Sequence, residues 1–113
     1  MISVDSTRHL SECLSSKDAV VFVHFGWSGQ SVASLRVCEA LELGIASAIP
    51  FYRFEPDEQP DVSRWLSQQK GPLVGGGSGS VVWMSAGRVL GFEPNAARAG
   101  LDALIARTRE LFG

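Results

Sequence analysis

Cysteine is scarce in this chain: Cys13 and Cys38 are the only two in 113 residues. Two widely separated thiols are too few for the disulfide framework of a small secreted domain, and their spacing matches no metal-ligand pair. An excess of charge of either sign is also missing. Ten Lys and Arg residues stand against twelve Asp and Glu, for a formal charge of -2, which gives no electrostatic reason to expect nucleic acid or an anionic membrane surface as a partner. No apolar run is long enough to cross a bilayer. The opening Met-Ile-Ser-Val-Asp-Ser-Thr-Arg-His lacks the basic start and apolar stretch of a secretory signal. These absences lead to the expectation of a cytoplasmic protein with no metal and no cofactor.

What is present fits one globular domain, residues 1–113, with 45% hydrophobic and 19% charged residues. Leu10, Cys13 and Leu14 recur at helical spacing behind Asp5-Ser6, whose side-chain oxygens suit an N-cap. Ala19 to Phe25 is an almost unbroken β-branched and aromatic run, as in a central strand buried on both faces, and His24 is its one polar member. From Ser28 to about Leu43, the residues Ala33, Val37, Ala40, Leu41 and Gly44 form the expected apolar side of a helix. Pro50 to Phe54 reads as a second strand. Pro60 opens a helix with Val62, Trp65 and Leu66 on its apolar side. Val81 to Met84 and Arg88 to Phe92 flank a hairpin turn in which Gly87 supplies a positive φ. A last helix is expected from Ala96 to Leu111, capped by Asn95. The order α-β-α-β-α-β-β-α predicts an α/β sandwich with a mixed central sheet of about four strands, since strand-helix-strand units favour parallel pairing and the hairpin requires an antiparallel pair.

The stretch Val23-His-Phe25, the turn Trp27-Ser-Gly-Gln-Ser31 and the hairpin Val81-Val-Trp-Met-Ser-Ala-Gly-Arg-Val89 resemble the central strand, active-site turn and late hairpin of the thioredoxin-like superfamily. The resemblance covers nearly the whole chain and implies the family's three-layer sandwich. In that family the turn reads Trp-Cys-Gly-Pro-Cys and its two thiols exchange with a substrate disulfide. Here Ser28 and Ser31 stand at the cysteine positions, and serine offers no thiolate to begin the exchange. The approach to Ser28 is about two residues shorter than the family pattern, and Gly79, inside Gly75-Gly-Gly-Ser-Gly-Ser80, replaces the family's cis-proline. The expectation is a domain without disulfide oxidoreductase activity whose altered groove, made of Trp27, Ser28, Gly29, Gln30, Ser31, Ser78, Gly79 and Ser80, binds a protein segment or a small anionic ligand. The glycine segment is expected to form a mobile lid on it.

Each candidate also has a plainer reading. Ser28 and Ser31 can be ordinary helix caps, a role that contributes about 1 kcal/mol. Resemblance to glutathione-binding relatives implies that Ser28 hydrogen-bonds a ligand thiolate, in a transferase-like enzyme. His24 can act as base to Ser28 or be a hydrogen-bonded strand histidine, and no nucleophile-elbow glycines accompany it. Cys13 and Cys38 read as small packed residues, with a lone-thiol redox role for Cys38 as the alternative. The segment Gly71 to Ser80 lacks the Gly-Lys-Ser/Thr ending of a phosphate loop. A structural subunit of a larger assembly is the remaining class.

Overall fold

The computed structural model describes residues 1–45, 49–69 and 77–113. Strand β2, Ala19–Val23, lies at the centre of a five-stranded sheet and is buried along its whole length. Its alternating side chains feed two cores: Ala19, Val21 and Val23 face one, Val20 and Phe22 the other. On one side β2 pairs in parallel with β3, Phe51–Phe54, which in turn pairs in parallel with β1, Ile2–Ser3. On the other side it pairs antiparallel with β4, Ser80–Ser85, which forms a hairpin with β5, Arg88–Glu93. The sheet order is therefore β1-β3-β2-β4-β5.

Helices α1, Thr7–Ser15, and α3, Pro60–Ser67, cover the first face through Leu10, Cys13, Val62 and Leu66. Helices α2, Gly29–Gly44, α4, Ala96–Ala99, and α5, Leu101–Phe112, cover the second through Cys38, Leu41, Ala96 and Leu104. The three-layer α/β sandwich with a mixed sheet is thus present, and no helix among the described residues is long and apolar enough to cross a membrane. Ser6 caps α1 by accepting the His9 N–H, and Asn95 caps α4 by accepting that of Arg98.

Four expectations are corrected. The sheet has five strands rather than about four, because two residues at its edge, Ile2 and Ser3, pair with Tyr52 and Arg53. The strand expected to reach Phe25 ends at Val23, although the His24 N–H still bonds Phe54 O at 2.8 Å. The last helix is two helices: Gly100, at φ 86° and ψ 159°, breaks the chain between α4 and α5. The buried side of α2 keeps Leu41 of the expected apolar stripe but is otherwise Ser31, Ser34 and Cys38; Val37 and Ala40 are half-buried, and Ala33 and Gly44 are exposed. Two serines on that face are buried because each finds polar partners there.

Candidate functional site

The site begins where β2 ends. Beyond Val23 the chain turns, with Ser28 N–H bonded to Phe25 O, and enters α2. Ser28 is the N-cap, and its Oγ accepts the Ser31 N–H at 3.2 Å. This satisfies one of the orphan donors of the helix start. Ser31 is fully buried. Its Oγ accepts the Phe25 N–H at 2.9 Å and lies 2.9 Å from His24 Nδ1. With Phe25 as a fixed donor to Ser31, the arrangement in which the Ser31 hydroxyl gives its proton to Nδ1 is the one with the neutral imidazole protonated on Nε2. Burial lowers the His24 pKa; the Glu55 carboxylate raises it and the Arg53 guanidinium lowers it further.

One turn further along, Ser34 is also fully buried. Its hydroxyl donates to Ser78 O at 2.8 Å and accepts the Ala97 N–H at 3.0 Å, which ties α2 to the segment before β4 and to the start of α4. Gly79 fills the space between them. At φ 89° it occupies backbone space that side chains rarely adopt, and a Cβ there would lie 2.5 Å from Ser34 Cβ and 3.1 Å from Ser31 Cα. Gly79 O accepts the Ala96 N–H, and Ser78 Oγ donates to Gln30 Oε1 at 3.0 Å. Ser80, the first residue of β4, is buried as well.

Of the sequence-predicted residues, Trp27, Gly29 and Gln30 are exposed, Ser28 and Ser78 are half-buried, and Ser31, Gly79 and Ser80 are interior. Trp27 is 72% exposed, and its Nε1 donates to Asp57 Oδ2 at 2.6 Å. The outer edge of its indole lies over Gly77, where a Cβ would come within 2.9 Å of the ring. Gly77 to Ser80 is therefore seated against α2 and Trp27, whereas Gly75 and Gly76 of the expected lid lie outside the described residues. Sequence reasoning missed Ser34, Asp57 and Gly77. Only Ser34 left a signal there: Ser31, Ser34, Cys38 and Leu41 share one helical face.

The other reactive groups are placed elsewhere. His24 contacts Ser31 rather than Ser28, so the Ser28–His24 nucleophile pair is not assembled. Cys38 is fully buried on α2, and its pKa is pushed up to about 12, chiefly by burial and further by Glu42 and Glu39. Burial pushes Cys13 up to about 12 also. Among the described residues no group of three or more His, Cys, Asp or Glu converges to hold a metal. Cavities of about 380 and 410 Å³ open at the opposite end of β2, around Asp18 and Ile49, away from the candidate residues.

No protein-family model and no curated protein matches this chain. Solved structures do. The chain is similar to the thioredoxin Mala s 13 of Malassezia sympodialis, with a TM-score of 0.73 and 17% identity over 98% of this chain and 90% of that one. The thioredoxin of Trypanosoma brucei brucei gives a TM-score of 0.73 and 15% identity over 97% of this chain and 88% of that one. Thioredoxin from Fasciola hepatica gives 0.67 and 18% over 95% and 98%. At these identities the likeness is one of architecture, and the fold of this chain is thioredoxin-like.

Proposed function

We propose that this chain is a thioredoxin-like domain without dithiol chemistry, a non-catalytic binding or adaptor module acting in the cytoplasm. Its ligand, a protein segment or a small anion, is held where α2 begins. The observation that carries this reading is the state of the two hydroxyls at the helix start: Ser28 caps the helix, and Ser31 is locked between His24 and Phe25. Neither has a thiol beside it, and both thiols of the chain are buried with their pKa values raised to about 12. At neutral pH such groups carry very little thiolate, the species that attacks a disulfide. The exposed remainder, Trp27, Gly29 and Gln30, with Ser28 and Ser78 beside them, offers an aromatic surface next to a helix N-terminus, where backbone N–H groups favour negative charge.

Two measurements test this reading. The purified protein should not accelerate reduction of a protein disulfide by dithiothreitol, and turnover that survives replacement of Cys13 and Cys38 by serine would overturn the proposal. Amide shifts on adding reduced glutathione separate the alternatives. Saturable shifts confined to Trp27–Ser31 and Ser78–Ser80 would favour a glutathione-binding enzyme using Ser28, and unchanged spectra at millimolar ligand would discard it.

A further inference from the structure

His24 is a buried titratable group that the binding role leaves unused. Its Nδ1 and the Phe25 N–H converge on one atom, Ser31 Oγ, at 2.9 Å each. A serine hydroxyl holds one proton and two lone pairs, so with Phe25 as a fixed donor the Ser31 proton has His24 as its acceptor only while Nδ1 is bare. In the imidazolium both ring nitrogens donate. Ser31 Oγ must then accept twice, and its own proton loses its acceptor at a residue with no solvent exposure. The first turn of α2 has little slack to absorb this. Ser28 Oγ holds the Ser31 N–H, Ser34 holds Ser78 O and Ala97 N, and Gly79 is pressed against Ser31, Ser34 and Phe22.

We propose that His24 is a proton-operated latch. In its neutral form it keeps the start of α2 bound to the end of β2 and closed on the Gly77–Gly79 segment, and its protonation frees that turn and loosens the face on which the ligand sits. The consequence for the ligand rests on the binding role above, while the latch itself is read without any ligand. The charged groups that act on His24 are Glu55, just beyond β3, which favours the imidazolium, and Arg53 on β3, which opposes it. Helix α2 presents the Ser31 hydroxyl, and β2 the Phe22 ring, with the two ring centroids 5.7 Å apart. Burial is the largest influence and acts against the charge, so the latch is closed at neutral pH and opens on the acid side.

The test is a titration of the isotope-labelled full chain followed by amide and imidazole NMR from about pH 8 to about pH 4, a range that spans the protonation of histidine. At neutral pH the His24 ring should show the Nε2–H tautomer. On acidification, the amide shifts of Phe25, Ser31, Ser78 and Gly79 should follow the His24 ring with one shared midpoint. That midpoint should vanish in His24→Asn, whose side-chain oxygen can still accept from Ser31, and should survive in His9→Asn, which removes the separate His9–Asp5 pair. A His24 ring that titrates while the four amides stay still would overturn the latch, as would amide shifts that persist in His24→Asn. If that variant does not fold, the two midpoints in the unaltered chain decide alone. Failure to find a ligand would count against the binding role and leave this titration intact.

Discussion

Ser34 and Gly79 hold the candidate site together. Replacing Ser34 by Ala leaves the Ser78 carbonyl and the Ala97 N–H without their shared partner inside the fold. An unsatisfied buried polar group costs about 1–3 kcal/mol, so Ser34→Ala should lower unfolding free energy by about that much in urea titration. Gly79→Ala should cost more, because the added methyl meets Ser34 Cβ at 2.5 Å and Phe22 Cζ at 3.0 Å and the backbone sits at φ 89°. A Gly79→Ala protein as stable as the parent would show that the segment is not seated as described. His24 adds a pH dependence. Its pKa in the folded chain is below the ordinary 6.5, so between the two values the unfolded chain binds more protons than the folded one. Its contribution to stability is therefore complete above pH 6.5 and is lost as the pH falls toward the folded value. Denaturation curves at several pH values should show that decline, and His24→Asn should flatten it.

At the scale of elements, the β4–β5 hairpin turns through Ala86 and Gly87, both with positive φ, at 50° and 80°. This matches a two-residue turn that needs left-handed conformations at both positions. Gly87 adopts one freely, but Ala86 carries a Cβ there, at a cost of about 1–2 kcal/mol. Asparagine tolerates this region better and the position is exposed, so Ala86→Asn should stabilise the protein by up to about 1 kcal/mol, read from its thermal midpoint. The Gly87 half of the turn was legible in the sequence because only glycine enters that region without penalty. The Ala86 half was not, since nothing about an alanine announces a positive φ. Helix α2 shows the same limit. Its existence and its Ser28 cap were legible, but its buried side was misread because Ser31 and Ser34 are inside. Serine is placed inside by partners distant in sequence, here His24, Ser78 and Ala97, and periodicity of apolar residues carries no information about them. Gly100 was passed over for a related reason: a lone glycine within helical periodicity reads as a tolerated weakness until its φ of 86° is seen.

At the scale of the whole molecule, the order of elements and the uninterrupted apolar run of β2 were enough to imply a mixed sheet between helical layers, because a strand buried on both faces needs cover on both. The edge strand β1 escaped, being two residues long and defined only by its pairing with Tyr52 and Arg53. The candidate turn was singled out by its resemblance, but the packing of Ser34, Asp57 and Gly77 around it depends on the tertiary fold. The layered plan has an energetic consequence. Leu66 on α3 and Leu104 on α5 are both buried, on opposite faces of the sheet and in separate clusters. Truncating either to Ala removes packed methyls from a core and should cost about 2–5 kcal/mol. Since the two residues lie in separate clusters on opposite faces of the sheet, the costs should add to within about 0.5 kcal/mol in the double variant. Both cores nevertheless rest on the same strand, Ala19–Val23, so neither layer can be lost while the sheet persists. Each single variant should therefore unfold in one transition, with far-UV and near-UV circular dichroism giving the same midpoint. Separate midpoints in Leu66→Ala would mean that the α1–α3 layer melts by itself and that β2 does not couple the two halves.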